Sequence, residues 1–505
     1  MEASTTLWEV FRRSLVTNAE RPALAFGDEV WTYADLGQAV ATAAARLAAL
    51  EVQPGDRVVL LTDNVAAFPV HDLAVMSLGA VKVPLNPMVS APEVAEVVRR
   101  VRPRAVVVSR SLSELVAGIP TDAGTTLVDA DVPLVHRNEE LPLPGATGPD
   151  DAAVVYFTGG TTGAPKGIVH SQRGAVANLW AHILEADIRR DERLLLTTPL
   201  AHAAGLFTLA ALLRGAYVRI ERSFDAEGML DRIDQDGSTW TFAVPTTIYR
   251  MLDVAEARNW RSQTLRTVQY GAAPIAVDQL RRALLVFGPV LQQLYGQTEN
   301  PNYATVLRKE DHVRALDEPG LLSSCGRPSI MCDVAVVDET GTPLPTGRTG
   351  EVALRSPYTM NGYWADPQGA AERFVGGWML TGDIGYQDEE SYLYLVDRRN
   401  DMIVSGGMNV YSIEVEQVLV RHPGVRDAAV VGLPHDDWGE AVHAVVVPHT
   451  GFTDVESLRA HCREALAAYK RPKSYALVDA LPLTSYGKID KKALRSVATV
   501  SQVAP

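Results

Sequence analysis

The most informative stretch of the chain is a loop rich in glycine and threonine that follows an apolar segment. It reads Tyr156-Phe157-Thr158-Gly159-Gly160-Thr161-Thr162-Gly163-Ala164-Pro165-Lys166-Gly167. The apolar residues 153–157 predict a buried strand. Glycines let a backbone turn bring its N–H groups close to phosphate, and threonine hydroxyls and an ammonium add donors. The stretch therefore predicts a phosphate-binding loop, and a flexible surface turn is the alternative. It is not a Walker loop, because Gly167 follows Lys166.

Short strands alternate with helical patterns on both sides of this loop. The predicted strands are 56–61, 81–85 and 105–109, and the predicted helices are 70–80 and 91–100. Such alternation favours layered α/β architecture with largely parallel sheets. Residues 118–149 are rich in Pro, Gly and Asp, so we expect surface connections there.

The pattern changes near Asp397. Helices at 410–419 and 455–468 and strands at 428–431 and 444–447 predict a compact α+β unit. The predicted fold class is therefore α/β, with a large N-terminal body of layered α/β subdomains at residues 1–396 and a small C-terminal α+β domain at residues 397–505.

Composition excludes several classes of protein. The 505 residues are 47% hydrophobic and carry a formal net charge of −14, which argues against nucleic-acid or anionic-membrane binding. Cys325, Cys332 and Cys462 are too scattered for a disulfide framework or a zinc site. The apolar run 203–213 is shorter than the roughly 20 residues of a membrane span and predicts a core helix. The polar N-terminal segment lacks a signal-peptide pattern, so we expect a cytoplasmic location.

Further motifs follow the loop in order. They are Gly271-Ala272-Ala273-Pro274, Tyr295-Gly296-Gln297-Thr298-Glu299, Thr381-Gly382-Asp383, Arg398 within 397–401, Ser405-Gly406-Gly407 and the stretch 481–490 that contains Lys488. A carboxylate such as Asp383 accepts hydrogen bonds from two adjacent hydroxyls at once.

Together, these motifs resemble the adenylate-forming superfamily of acyl-CoA synthetases, peptide-synthetase adenylation domains and beetle luciferases. The resemblance covers nearly the whole chain. The superfamily loop usually reads TSGTTGxPKG, and Gly159 stands where serine is common. The resemblance implies that the C-terminal domain is mobile and swings about a hinge near Asn400.

The resemblance also implies a role for each motif. Thr298 and Glu299 would be catalytic, with Glu299 holding Mg²⁺, and Asp383 and Arg398 would lie near the ribose. The residues expected to bind ATP or coenzyme A are Thr158, Gly159, Gly160, Thr161, Thr162, Gly163, Lys166, Gly271, Ala272, Ala273, Pro274, Tyr295, Gly296, Gln297, Asp383, Arg398, Gly406 and Gly407.

Lys488 matches the superfamily's adenylation lysine. A carboxylate that attacks the α-phosphorus of ATP brings two anions together, so a cation that reaches both reactants offsets their repulsion. One preorganised donor of this kind contributes about 10²–10³ in rate.

The acyl pocket is expected at the segment after Pro199. Its expected residues are Ala201, His202, Ala203, Ala204, Gly205 and Val244. These mostly small side chains suggest a roomy pocket for a bulky or elongated acid. No aspartate is present in this segment to pair with an α-ammonium, which disfavours amino acids. His202 is a candidate to orient or gate the substrate carboxylate, and a structural histidine is the alternative.

The expected activity is AMP-forming acid–thiol ligation. ATP, Mg²⁺ and coenzyme A are the expected cofactors, and a small carboxylic acid is the expected substrate. A free-standing acyl carrier protein is the alternative acceptor, and a non-catalytic binding protein is a further alternative. The sequence leaves a monomer and a homodimer equally open.

Overall fold

The computed structural model describes residues 6–119, 124–132, 140–143, 145, 147–158, 165–399, 401–435, 437–483 and 489–502, without the side chains of 497–502. The chain divides into two compact units. The first is Met1–Val334 with Leu354–Met379 and Ser391–Leu393, and the second is Ala335–Ala353 with Leu380–Glu390 and Tyr394–Pro505. The boundary expected at residue 397 stays a prediction.

Helices of the first unit cover its sheets. The described helices are α1 (Leu7–Thr17), α2 (Tyr33–Ala49), α3 (Ala67–Ser77), α4 (Ala91–Val101), α5 (Gln172–Glu185), α6 (Ala203–Arg214), α7 (Ala226–Asp236), α8 (Pro245–Ala257), α9 (Val277–Phe287), α10 (Lys309–Arg314) and α11 (Pro367–Ala371). Short 3-10 helices lie at Arg110–Val116 and Pro319–Ser323.

Two sheets form the framework of the first unit. Their strands are β1 (Pro22–Phe26), β2 (Glu29–Thr32), β3 (Arg57–Leu61), β4 (Val81–Pro84), β5 (Ala105–Val108), β6 (Thr126–Asp129), β7 (Ala152–Thr158), β8 (Lys166–Ser171), β9 (Arg193–Leu196), β10 (Tyr217–Ile220), β11 (Trp240–Ala243), β12 (Thr267–Tyr270), β13 (Leu291–Gln297), β14 (Asn300–Leu307), β15 (Arg327–Pro328) and, far later, β18 (Gly362–Tyr363).

The larger sheet has nine strands in the order β15-β14-β13-β12-β11-β9-β10-β1-β2. The six strands from β13 to β1 are parallel, and β2, β14 and β15 are antiparallel additions at the edges. The central strands β10, β11 and β12 are buried along their whole length, as expected for a parallel sheet that helices cover on both faces.

The smaller sheet has seven strands in the order β18-β8-β7-β4-β3-β5-β6. Strands β7 to β6 along this order are parallel, whereas β8 and β18 are antiparallel. Helix α4 shows how the sequence builds this layer. Ser90 and Glu93 form a capping box at its start, and Val94, Val97 and Val101 then recur on one face and enter the core beneath the sheet.

The second unit is built from short sheets and three described helices. Its strands, some shared with the first unit at the boundaries, are β16 (Asp333–Val337), β17 (Gly350–Arg355), β20 (Trp378–Gln387), β21 (Leu393–Arg398), β22 (Ile403–Ser405), β23 (Met408–Val410), β24 (Val425–His435), β25 (Gly439–Pro448) and β26 (Ser474–Leu477), and β19 (Phe374–Val375) pairs with the start of β20. Helices α12 (Ser412–Val420) and α13 (Val455–Ala465), a 3-10 turn at Ala468–Lys470 and α14 (Lys491–Gln502) complete it.

A four-stranded path β23-β22-β25-β24, with β26 beside β25, makes the C-terminal sheet. Its long hairpin β24–β25 packs one face on α12 and α13 through Val415, Leu419 and Leu458, and the other face on Leu481 and Leu494. The α+β character expected for the C-terminal residues is confirmed.

Most predicted elements are confirmed within a few residues, and three needed correction. Residues 126–129 were expected in a surface connection but form β6, which pairs in parallel with β5. The helix expected from residue 410 begins at Ser412, because Met408–Val410 pairs with β22 instead. The helix expected to reach residue 468 ends at Ala465, before a 3-10 turn.

The apolar run 203–213 forms the core helix α6. Ala204, Phe207 and Leu209 on this helix are buried. None of the described helices combines the length and the apolar character that crossing a bilayer requires.

Candidate active site

Four parallel strands of the nine-stranded sheet end at one edge. Strands β9, β11, β12 and β13 are neighbours in that order, so the segments after their carboxyl ends meet. Those segments carry His202, Val244, Gly271 and Glu299. The chain runs from β9 to β10 on one side of β9 and then crosses to β11 on its other side. The end of β9 is therefore a switch point of the sheet. Topology therefore brings together motifs that lie about a hundred residues apart.

Strands β7 and β8 precede and follow the predicted phosphate loop in the sequence. The two strands are antiparallel, with Thr158 opposite Lys166 at the base of the loop. Both residues are half-buried. A Cβ at Gly167 would lie 2.9 Å from the side chains of Phe157 and Val155, so only glycine fits there. The predicted loop residues Gly159, Gly160, Thr161, Thr162 and Gly163 lie outside the described residues.

The turn Thr298–Glu299 joins β13 to β14 and is anchored from two sides. His170 on β8 donates from Nε2 to the Thr298 carbonyl at 2.9 Å, and the Met360 N–H donates to the Glu299 carbonyl at 2.8 Å. Burial lowers the pKa of His170 to about 4, so the ring is neutral at ordinary pH. Sequence reasoning missed His170, because nothing in its local pattern distinguishes it from a buried strand residue.

The Glu299 side chain lies in a cluster of one phenol and two cations. Tyr363 donates its hydroxyl to Oε1 of Glu299 at 3.1 Å, and Nη2 of Arg373 lies 3.6 Å from the same oxygen. Arg373 also donates from Nε to the Tyr363 hydroxyl at 3.1 Å, and Nζ of Lys166 lies 4.8 Å from the centre of the Tyr363 ring. Burial, and then the nearby Glu299, raises the pKa of Tyr363, which keeps the phenol protonated.

These residues fit a magnesium ion that arrives with a nucleotide. No group of three or more His, Cys, Asp or Glu side chains in the described part of the chain could hold a metal by itself. Mg²⁺ usually takes one or two protein carboxylates together with phosphate oxygens and water. Glu299, whose side chain is 12% exposed, supplies one such carboxylate.

The residues before this turn complete the end of β13. A Cβ at Gly296 would lie 2.7 Å from the backbone of Asn302, so the position requires glycine. Tyr295 is half-buried. Among the described residues, Nε2 of Gln297 is buried without an acceptor. Buried polar groups are nearly always paired, so this amide is a donor that a bound ligand can satisfy.

The small-residue segment after β12 lies at the same sheet edge. Gly271 is buried, and a Cβ there would lie 2.6 Å from the Leu294 carbonyl oxygen. The next three residues are exposed, namely Ala272, Ala273 and Pro274. Ala272 has φ +68, and the Ala276 N–H donates to the Tyr249 hydroxyl at 3.2 Å, which ties the segment to α8.

The segment before α6 holds His202 at the surface. His202 is exposed and its Nε2 lies 3.0 Å from Nδ2 of the buried Asn86. The backbone before it is braced by Asn64, which donates to the Thr198 carbonyl at 2.8 Å and accepts from the Leu200 N–H at 2.9 Å. Asn64 and Asn86 were not found from the sequence, because asparagines after strands are common in ordinary turns.

The small residues of this segment have different surroundings. Ala201 and Ala204 are buried, Ala203 is half-buried, and Val244 is half-buried directly after β11. A Cβ at Gly205 would lie 2.0 Å from the Leu200 carbonyl oxygen. Glycine at 205 is therefore required by close backbone packing, and the roomy acyl pocket stays a prediction.

In the second unit, the expected ribose-binding residues are adjacent. Asp383 on β20 is buried, and Nε of Arg398 lies 3.3 Å from its Oδ1. Thr381 donates to the Val352 carbonyl at 2.7 Å and accepts from the Asp383 N–H at 3.0 Å. Gly382 between them has φ +77, which favours glycine. The strand thus holds the Asp383 carboxylate in one place beside a cation.

Gly406 and Gly407 form the two-residue turn of the β22–β23 hairpin. Their φ values are +59 and +76, and Ser405 pairs with Met408 across the turn. Positive φ at both central positions is the pattern of a type I′ turn. A Cβ at Gly407 would meet no atom within 4 Å, so this turn is open on its outer side. The predicted Lys488 and the predicted hinge at Asn400 lie outside the described residues.

Comparison with family models decides the family. Residues 11–364 match the model described as AMP-binding enzyme, and residues 414–488 match the model described as AMP-binding enzyme C-terminal domain. The chain belongs to the AMP-binding enzyme family. The adenylate-forming superfamily expected from the motifs is therefore confirmed, as is the α/β fold with a large body and a smaller C-terminal domain. The chain is thus an AMP-forming ligase of this family.

Relatives within the family differ in what accepts the acyl group. A feruloyl-CoA synthase of Amycolatopsis sp is 37% identical over 495 residues, which is 97% of this chain and 98% of that one. A fatty acid–[acyl-carrier-protein] ligase, ScoC of Streptomyces coeruleorubidus, is 33% identical and covers 94% of this chain and 93% of its own. The solved structure of the amide bond synthetase McbA from Marinactinospora thermotolerans is 32% identical, with a TM-score of 0.86 and coverage of 97% and 99%.

Proposed function

We propose that this enzyme activates a bulky carboxylic acid other than an amino acid as its acyl adenylate and transfers the acyl group to the thiol of coenzyme A. The observation that carries the proposal is the turn Thr298–Glu299, which His170 and Met360 anchor at the carboxyl end of β13 beside Lys166. Glu299 on this turn supplies a carboxylate, and Lys166 and Arg373 near Tyr363 supply cations, as a Mg²⁺-bound triphosphate would require.

In the first step, a carboxylate oxygen of the acid attacks the α-phosphorus of ATP. A new O–P bond forms, the P–O bond to pyrophosphate breaks, and pyrophosphate leaves with its electron pair. Glu299 would hold magnesium, which would supply positive charge that offsets the charge of the phosphates. Lys166 and Thr158 would donate to the phosphates, and Asp383 would accept from the ribose hydroxyls. Lys488 would donate to both reactants as charge builds up between them.

In the second step, the thiol sulfur attacks the acyl carbon of the adenylate. A C–S bond forms, the C–O bond to AMP breaks, and the thiol proton passes to water. Gly406 and Gly407 would line the path of the pantetheine arm, because their open turn offers no side chain to obstruct it. A swing of the C-terminal domain about Asn400 between the two steps is part of this proposal.

The acid is proposed to be aromatic and extended. The feruloyl-CoA synthase relative supports an arylpropenoic acid as the first candidate. The exposed segment of Ala272, Ala273 and Pro274 adds little steric bulk at the sheet edge next to Val244 and His202.

The cytoplasmic location expected from the sequence stays a prediction.

Two other acceptors have support from relatives. The similarity to ScoC favours a carrier-protein thiol, and the similarity to McbA favours an amine. All three reactions share the adenylate. They separate in the second step, where the product is a free thioester, a protein-bound thioester or an amide.

The test is ATP–pyrophosphate exchange with ferulate, decanoate and cholate, followed by product analysis with coenzyme A, an acyl carrier protein and a primary amine. We expect exchange to be fastest with ferulate, and feruloyl-CoA to be the main product. Calorimetry that detects no ATP binding would contradict the proposal. The non-catalytic binding protein would be favoured if ATP binds but no acid supports exchange, and if the Lys488→Ala substitution changes neither measurement.

A further inference from the structure

Arg373 is a cation in the Glu299 cluster that no motif of the sequence indicated. It lies between α11 and β19, and its side chain is 31% exposed. Its guanidinium contacts both the Glu299 carboxylate and the Tyr363 hydroxyl. We propose that Arg373 is a phosphate-binding residue of the adenylation site, paired with Glu299 before nucleotide binds and with phosphate oxygens afterwards. This inference rests on the proposed function.

The charges of the cluster support an anionic ligand. Arg373 and Lys166 both contact Tyr363, one at its hydroxyl and the other over its ring. Glu299 supplies a carboxylate beside Arg373 and Tyr363, so the described residues of the cluster carry two positive charges and one negative charge. Tyr363 is neutral, because burial raises its pKa. A partly buried excess of positive charge is suited to a polyphosphate.

A magnesium ion on Oε1 of Glu299 would compete with Arg373 for that oxygen. A divalent cation on Oε1 of Glu299 would lie close to the guanidinium that is now 3.6 Å from that oxygen. Like charges at this distance repel strongly in a partly buried site. The planar guanidinium fork matches two phosphate oxygens in bidentate geometry. A phosphate brought by the same metal is therefore the natural new partner, and Tyr363 keeps Nε of Arg373 in place during the exchange.

A purely structural tie between the segment after α11 and the Thr298–Glu299 turn is the competing explanation. Such a tie would stabilise the fold without touching nucleotide. The two explanations differ most in the binding of pyrophosphate without Mg²⁺, because there a direct phosphate contact adds affinity and a tie to Glu299 does not.

The experiment compares Arg373→Gln, Arg373→Lys and the control Arg355→Gln in the full chain. Arg355 is an arginine of the same unit that pairs with Asp333 at the surface. Calorimetry measures the binding of inorganic pyrophosphate and of ATP, each with and without Mg²⁺, and the melting temperature of each variant is recorded. Loss of a charge-assisted contact should weaken the binding of both ligands by about tenfold to 100-fold in Arg373→Gln. The control should bind as the wild type does.

Arg373→Lys keeps the positive charge but loses the two-pronged guanidinium. Its affinity for pyrophosphate and ATP should therefore lie between those of the wild type and Arg373→Gln. Unchanged pyrophosphate affinity in Arg373→Gln overturns the inference and leaves Arg373 as a structural tie. If Arg373→Gln does not fold, Arg373→Lys decides, and wild-type pyrophosphate affinity in that variant overturns the inference. A wild-type protein that binds no ATP would instead contradict the proposed function.

Discussion

Asn86 donates its side-chain amide to Nε2 of His202 at 3.0 Å. The carbonyl of the same amide accepts the Met88 N–H at 3.0 Å, which fixes its orientation. Because an amide nitrogen only donates, Nε2 of His202 accepts and the proton of the neutral ring is on Nδ1. A buried asparagine thus selects the tautomer of an exposed histidine at the switch point of the sheet.

Replacement of Asn86 by alanine should weaken use of the acid. Loss of one hydrogen bond costs about 0.5–1.5 kcal/mol, so we expect the KM for the acid to rise about twofold to tenfold with little change in the KM for ATP. ATP–pyrophosphate exchange gives both constants. In a His202→Ala background the same substitution should have almost no effect, since the partner is gone. Fully additive effects of the two substitutions on the KM for the acid would show that Asn86 does not act through His202.

His170→Ala should slow adenylation, because the Thr298 carbonyl loses its donor and the turn loosens. We expect a drop in exchange rate on the order of tenfold, consistent with an unsatisfied buried group. His170→Gln, which keeps a side-chain N–H donor, should recover part of the rate. If alanine and glutamine behave alike while both fold, the hydrogen bond does not position the turn.

Lys488→Ala should nearly eliminate formation of the acyl adenylate, and the rate of ATP–pyrophosphate exchange should fall by a factor of about 10²–10³. The same variant should still form the thioester from a supplied acyl adenylate and coenzyme A. Lys492→Ala is the matched control, because Lys492 is an exposed lysine four residues further along. Equal exchange rates in the Lys488 and Lys492 variants would remove Lys488 from the mechanism.

Two helical glycines should respond oppositely to alanine. At Gly205 the new Cβ would lie 2.0 Å from the Leu200 carbonyl oxygen, whereas at Gly37 its nearest neighbour would be Leu141 at 3.7 Å. Gly205→Ala should destabilise the protein by about 1–3 kcal/mol and lower the melting temperature. Gly37→Ala should be neutral or stabilising by up to about 1 kcal/mol. Equal melting temperatures for the two variants would contradict the packing described before α6.

Acid should destabilise the protein through its buried histidines. Burial lowers the pKa of His182 and of His312 to about 4, against about 6.5 in the unfolded chain. Between these values the unfolded state binds protons that the native state does not, so stability falls as pH drops from about 6.5 to about 4. Each histidine contributes about 1.4 kcal/mol per pH unit in this window.

His182→Gln tests this pH dependence. The variant has one such group fewer, so its melting temperature should fall less than that of the wild type between about pH 7 and about pH 5. The comparison of slopes cancels the carboxylates that both proteins share. Parallel slopes would show that His182 is not the group that titrates.

The sequence predicted the elements whose signals are local. Alternating apolar runs located β3 to β5 and α6, and the strand predicted before the glycine-threonine loop is β7. Strand β6 was missed because its residues are exposed or half-buried, so it lacks the apolar run that reveals a central strand.

The surroundings of Glu299 could not be predicted for a different reason. They come from segments that lie far apart in the sequence, from Lys166 to Arg373. Strand β18 pairs with β8, with Tyr363 opposite Ile168, and this pairing brings the Tyr363 hydroxyl to Glu299. No spacing rule within one sequence connects these positions. Gly296 and Gly271 were recognised from the sequence only as parts of motifs. The structure adds the reason for glycine, because neighbouring backbone atoms leave no room for a side chain at either position.

The order of strands in the nine-stranded sheet has an evolutionary consequence. His202 and Val244 follow β9 and β11, whereas the Thr298–Glu299 turn follows β13. Mutations that reshape the first two connections therefore leave the Thr298–Glu299 turn and its anchors intact. The range of accepted acids can then change through mutations in a few exposed segments. Selection can meanwhile keep the nucleotide chemistry constant.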